Sequence, residues 1–270
     1  MVLCSYCSRK AARSGLMSVK LKASAGLLRR GSYMVFSTQP HFVRDYRKHV
    51  AKLLKSHDSD AAMELAVGTA GSYASVGHAE TTLLKSLGLK DTATIIDVGC
   101  GSGRLASVLA SMPGVTYIGT DVVPELLNYA EAKCGRPDWR FVLVSDLTMP
   151  VLDGSADFVV FFSVLTHLTE LEGIECLREA RRVIKSNGQI VVSFIDKDIA
   201  PWPLRTRLFA SQWLHRMFGR GFKVTLARKS QLKAMANKLK LSVRFVETPW
   251  SPKSSITQYV CVFRLGNLPE

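Results

Sequence analysis

Ile95-Ile96-Asp97-Val98-Gly99-Cys100-Gly101-Ser102-Gly103-Arg104 decides how the rest of this chain is read. The apolar run from Thr94 to Val98 has the length and composition of a strand buried on both faces of a parallel sheet. It gives way to three glycines at alternate positions. Leu105, Val108, Leu109 and Met112 follow, an apolar set at helical spacing. Strand, glycine turn and helix together make a nucleotide-type ligand site. Glycine lets backbone approach a ligand closely, and the first turn of a helix presents N–H groups without intrahelical acceptors.

The spacing of the turn separates two kinds of site. A dinucleotide fingerprint, G-x-G-x-x-G, needs a glycine three residues after Gly101, where this chain has Arg104. What stands instead is D-x-G-x-G-x-G, which resembles motif I of the class I S-adenosylmethionine-dependent methyltransferases. Three later segments extend the resemblance. Val115 to Thr120 reads as a second strand with Asp121 at its end, 22 residues after Gly99. A carboxylate there suits both ribose hydroxyls of an adenosine; the alternative is a cap for the helix expected from Pro124 to Cys134. Arg140 to Leu147 reads as an alternating strand ending in Ser145-Asp146. Ala156 to Phe162 reads as a buried fourth strand leading into Ser163-Val164-Leu165-Thr166-His167-Leu168, similar to a segment of a bacterial small-molecule branch of the superfamily.

The resemblance covers residues 68–265 and implies a Rossmann-like α/β fold. Its seven-stranded sheet is mostly parallel with the last strand antiparallel, and helices lie on both faces. It implies S-adenosyl-L-methionine as cofactor, bound by Asp97, Gly99, Cys100, Gly101, Gly103, Asp121, Val122, Asp146, Leu147 and Ser163. In the family, the acid after strand three receives the adenine amino group and the next N–H meets a ring nitrogen; Asp146 and Leu147 match those positions. A turn aspartate is the plain alternative for Asp146. Cys100 also reads as a small packing residue. His167 stands at the carboxyl end of strand four, where open α/β sheets bind ligands. With an unperturbed pKa of about 6.5 it suits proton removal, or it holds a loop or caps a helix. One departure is Ile184-Lys185-Ser186-Asn187-Gly188 in place of the family's Leu-Lys-Pro-Gly-Gly; it keeps the chemistry of a turn into strand five, Gln189 to Ile195.

Composition bounds the rest. A chain of 270 residues, 47% apolar, supports one sizeable α/β domain with additions. No run approaches the ~18–20 apolar residues of a membrane helix. The six cysteines are scattered; Cys4 and Cys7 form one C-x-x-C without a second pair, and no metal site is expected. The net charge of +14 is unevenly placed: +8 over residues 1–44, −5 over 45–200 and +11 over 201–270. Such asymmetry fits nucleic acid, an anionic membrane surface, an acidic substrate, or simply a solvated basic face.

Three regions divide the chain. Residues 1–40 lack acid and any clear period, which suits a transit segment, a disordered basic tail, or sequence upstream of an initiator at Met34. Residues 41–90 read as a helical cap. Val43, Tyr46, Val50, Leu53 and Leu54 recur at helical spacing, with lysines and arginine between them. A glycine-rich loop over residues 68–78 follows, then a helix from Ala79 to Leu87; Tyr73 and His78 are candidates to face the site. Residues 91–270 make the cofactor-binding domain, with a helical insertion near 201–222. The helix expected over residues 204–218 is apolar most of the way round, so it packs on the sheet, covers a substrate pocket or dips into a membrane surface. Trp250-Ser251-Pro252 joins the last two strands, Leu241 to Val246 and Ile256 to Leu265, and is placed near the site rim.

These readings point to methyl transfer onto a small-molecule acceptor at O, N or C. Nucleic acid is the less favoured partner. Nucleic-acid N-methyltransferases often carry Asn/Asp-Pro-Pro-Tyr after strand four, where this chain has Phe162-Ser163-Val164-Leu165. An RNA methyltransferase using the basic C-terminal face, and a catalytically silent module on the same fold, are the alternatives. The expected location is cytoplasmic, or mitochondrial if residues 1–40 are a transit segment.

Overall fold

The computed structural model describes residues 40–206, 208–210, 224–247 and 258–266. Seven strands form one sheet: β1 (Thr94–Val98), β2 (Thr116–Asp121), β3 (Arg140–Leu143), β4 (Ala156–Phe161), β5 (Ile184–Phe194), β6 (Leu241–Val246) and β7 (Tyr259–Leu265). Their order is β3-β2-β1-β4-β5-β7-β6. The first five run parallel. β7 is antiparallel to both of its neighbours and is the one reversed strand. This is the Rossmann-like sheet the sequence implied.

Seven helices are described in full: α1 (His41–Ser56), α2 (Ser59–Val67), α3 (Tyr73–Ser86), α4 (Arg104–Leu109), α5 (Pro124–Cys134), α6 (Glu170–Val183) and α7 (Lys229–Lys238). Successive strand residues point to opposite faces. In β5, Ile190 and Val192 pack with Leu177 of α6 and Met235 of α7. Val191 between them packs with Leu83 of α3 and Leu109 of α4 on the other face. A third apolar cluster joins Val50 of α1 and Met63 of α2 to Val123 and Leu126. It seats the first two helices over the carboxyl end of β2.

Local chemistry explains the clean boundaries. α5 has Pro124 at its first turn and left-handed Gly135 at its C-cap. α6 opens on a reciprocal capping box between Thr169 and Glu172.

Four expectations are corrected. α3 begins at Tyr73, not Ala79, so only the first part of the expected 68–78 loop is a loop. Gly77 lies inside the helix, where a Cβ would come 2.5 Å from the Arg104 carbonyl oxygen. It is there for close helix approach, not for a turn. β3 ends at Leu143, because the chain then bends at Asp146. Asn187-Gly188 lies within β5, which starts directly after α6; a register irregularity against β4 absorbs the extra residues. The insertion is helical at residues 202–206 and 208–210. The remainder of the expected 204–218 helix, Trp250-Ser251-Pro252, Cys4, Cys7 and the rest of residues 1–39 lie outside the described residues.

Candidate active site

β1 and β4 are adjacent while their crossovers run to opposite sides, and open α/β sheets bind ligands at such a switch point. A cavity of about 820 Å³ lies there, bounded by the glycine loop, Asp121, Ser163 and His167, with α1 and α2 along its rim. Sites for drug-sized ligands span roughly 300–1,000 Å³.

Gly99, Gly101 and Gly103 all take left-handed φ values, +69°, +57° and +82°. A Cβ on Gly99 would come 2.7 Å from Val164, and one on Gly101 would come 2.3 Å from Val67. The loop amides serve the protein rather than the cavity. Gly99 and Cys100 donate to the Thr120 carbonyl at 2.7 and 2.9 Å, and Gly101 donates to Asp121 Oδ2 at 2.9 Å. These three amides are spent within the protein; Gly99 and Cys100 offer the cavity bare backbone, while Gly101 and Gly103 do not line it. The Cys100 side chain is buried in the core against Gly119.

Asp121 is 5% exposed, and its Oδ1 accepts the Val123 N–H at 2.9 Å. Burial pushes its carboxyl up to about 6, against the pull of backbone N–H groups from Val123, Gly101 and Val122. It does not cap α5 in the ordinary way, since Val123 is the cap residue. The Val122 carbonyl accepts Arg47 Nε from α1 at 2.7 Å, which ties the cap helix to the end of β2. Asp97, beneath the rim, accepts the Tyr117 hydroxyl at 2.6 Å, and burial pushes its carboxyl up to about 7.

The far wall carries Asp146 and Leu147. Asp146 is exposed, and its Oδ1 accepts both the N–H and the hydroxyl of Thr148 at 2.9 and 2.6 Å, so it does build a turn. Ser163 adopts φ +66°, rare for a residue with a side chain. Ser193 Oγ accepts the Ser163 N–H at 2.7 Å and donates to Gln258 Oε1 at 2.7 Å; Gln258 Nε2 donates to Ser163 Oγ at 2.9 Å. The His167 ring stands 5.7 Å from that of Tyr46, and Tyr46 stands 6.0 Å from His49. All three line the cavity. Burial, then Lys52, lowers the His49 pKa. Tyr73 is buried with its hydroxyl on the Ser102 carbonyl at 2.7 Å, and His78 is exposed; neither lines the cavity, which corrects that expectation.

The sequence reading missed the group that fastens the cap. Arg104 pairs through two nitrogens with Glu80 of α3, the Nε–Oε2 distance being 3.2 Å, and its Nη1 donates to the Val67 carbonyl. Tyr46 donates to the Ala66 carbonyl at 2.6 Å and Ser102 to that of Met63 at 2.9 Å. Side chains thus donate to carbonyls at the end of α2, where a helix leaves its last carbonyls without N–H donors of its own, and a cation sits at its negative pole. Burial works against the Arg104 charge, but Glu80 more than offsets it and raises the pKa. A lone acid on the inner face of α3 was the available signal for Glu80.

Residues 96–192 match the family model of a methyltransferase domain. That span, about a third of the chain, carries the likeness to methyltransferases. Among curated relatives, a demethylmenaquinone methyltransferase of Tropheryma whipplei is 27% identical over 148 residues, 54% of this chain and 59% of the relative. A ubiquinone biosynthesis O-methyltransferase of Xanthomonas oryzae is 28% identical over 133 residues, 48% of this chain and 53% of the relative. The chain therefore spans between half and three-fifths of these relatives. The crystal structure of an S-adenosylmethionine-dependent methyltransferase from Methanosarcina mazei superposes with a TM-score of 0.57 at 19% identity, covering 68% of this chain and 98% of that one. That likeness is one of fold.

Proposed function

We propose that this chain is an S-adenosylmethionine-dependent methyltransferase acting on a small-molecule acceptor. One observation carries the reading: a single cavity of about 820 Å³ joins the glycine loop and the buried Asp121 carboxylate to the wall that holds His167. The residues fit the cofactor. Asp121 presents a buried carboxyl for the ribose hydroxyls, Asp146 and Leu147 suit the adenine, and the Gly99–Cys100 backbone leaves room for the remainder, with Gly101 and Gly103 shaping that loop from behind against Val67 and Ala130. Asp97, Val122 and Ser163 complete the binding set. The bound cofactor supplies a methyl group already activated by a sulfonium charge.

The protein's part is then orientation and exclusion of water, with α1 and α2 as the cap. Alignment of this kind contributes ~7–11 kcal/mol to lowering a barrier. His167, on the turn Leu165–His167, takes the proton an oxygen or nitrogen acceptor releases. The names of the quinone-pathway relatives support a small acceptor over nucleic acid. The reading places the enzyme in the cytoplasm; import of the full chain into mitochondria would assign residues 1–40 as a transit segment instead.

Calorimetric titration with S-adenosylmethionine tests the cofactor. Binding by the intact chain that is lost in Asp121→Ala supports the proposal. Equal binding by both proteins removes Asp121 from the site, and no binding by either refutes the enzyme reading.

A further inference from the structure

The start of the 201–222 insertion turns apolar side chains outward beside the cavity mouth. Ile199 is 52% exposed, Trp202 74% and Phe209 71%. Trp202 and Phe209 lie seven residues apart on helical backbone and so share a face, while Leu208, on the other side, is buried and lines the cavity. Arg205 sits exposed between the two aromatic residues, with no ion pair among the described residues. The sequence here is strongly basic: residues 199–246 contain eleven Lys and Arg and no Asp or Glu, and the exposed Asp198 before them is paired with Arg228. No described helix is long and apolar enough to cross a membrane.

We propose that this face docks on an anionic bilayer, with Ile199, Trp202 and Phe209 entering the interface and Arg205 meeting lipid phosphate. Two exposed aromatic side chains on one helix face, with exposed Ile199 on the turn before it and Arg205 between them, have the character of an in-plane interfacial anchor. Each basic residue near such a surface adds attraction, which decays within the screening length of salt. A nucleic acid would use the charge and stack on the two rings, but it has no use for the exposed aliphatic Ile199. Leu208 and Ile195 continue the apolar surface into the cavity, so a docked enzyme faces its pocket toward the membrane. That last consequence rests on the methyltransferase reading; the docking does not.

The test is co-sedimentation of the full chain with vesicles of phosphatidylcholine alone and of phosphatidylcholine mixed with phosphatidylglycerol. Binding to the mixed vesicles is expected to exceed binding to the neutral ones about tenfold or more and to weaken with salt. The double variant Trp202→Ser/Phe209→Ser should lower it by a further factor of about ten, and Arg205→Ala by several-fold. Both changes are at exposed positions, and unaltered calorimetric binding of S-adenosylmethionine checks that the fold and cofactor site survive. Failure of cofactor binding with vesicle binding intact would sink the methyltransferase reading alone. The docking proposal is overturned by equal binding to both vesicle types, or by full binding in the double variant. It is equally overturned by a patch that instead mediates self-association in light scattering, or that binds single-stranded RNA and not vesicles.

Discussion

Removing the charge from Glu80 leaves a guanidinium nearly out of water without its counter-ion. The Arg104 side chain is 12% exposed and that of Glu80 is 4%. Glu80→Gln keeps the shape and one acceptor oxygen, and Arg104 keeps the Val67 carbonyl. Breaking a buried pair from one side costs about 3–5 kcal/mol, and the surviving neutral hydrogen bond returns about 1 kcal/mol. The expected loss is thus about 2–4 kcal/mol, out of a total stability of about 5–15 kcal/mol. For a domain of this size that is a fall of roughly 5–15 °C in Tm. Replacing both partners together, Glu80→Leu with Arg104→Met, removes the charges as a unit and should recover most of the loss. Urea unfolding of the wild type, of Glu80→Leu and Arg104→Met singly, and of the double variant gives the coupling directly. Single-variant losses below about 1 kcal/mol, or a double variant that loses the sum of the singles, would refute the claim that this pair holds α3 and α2 to the glycine loop.

Gly77→Ala places a methyl 2.5 Å from a backbone oxygen that cannot swing aside, so calorimetric unfolding should show a loss of about 1–3 kcal/mol. Asp97 and Asp121 have carboxyls raised by burial to about 7 and about 6. The fold therefore holds protons that the unfolded chain releases near pH ~3.9. Their stabilisation is complete below that value and is lost as pH rises through about 6 to 7; Asp97→Asn should flatten the upper part of a stability–pH curve. Cofactor affinity should climb over the lower part as Asp121 ionises, and Asp121→Asn should both weaken binding and remove that dependence in calorimetry. His167→Ala should lower kcat by about 10²–10⁴ with little change in KM if the ring takes the acceptor proton, and an unchanged pH–rate profile would exclude that role.

Several elements were legible because their signals are local. β1 and α5 have the boundaries their sequences indicate: an apolar run stopped by glycine, and a helix bracketed by Pro124 and Gly135. The order of Gly99, Asp121, Asp146 and His167 along the chain was enough to bring them to one cavity, since each follows a parallel strand and so reaches the same edge of the sheet. Gly77 was misread because glycine serves turns and close packing alike, and only the partner helix distinguishes them. Ser163 gave no sign of its left-handed backbone, which depends on the bond its N–H makes to Ser193.

The amino-acid sequence by itself marked out the strands and the turns between them, because alternation, glycine spacing and strand–helix order act over a few residues at a time, and the resemblance those motifs carry implied how the strands join into one sheet. The tertiary structure alone decided what each polar group does there. It turned the loop amides inward onto Thr120 and Asp121, paired Glu80 with Arg104 across 24 residues, and set Arg104 at the end of α2. Burial is what makes those choices: once water is excluded, each charge and amide must take the partner that folding brings to it, and that partner is remote in the chain.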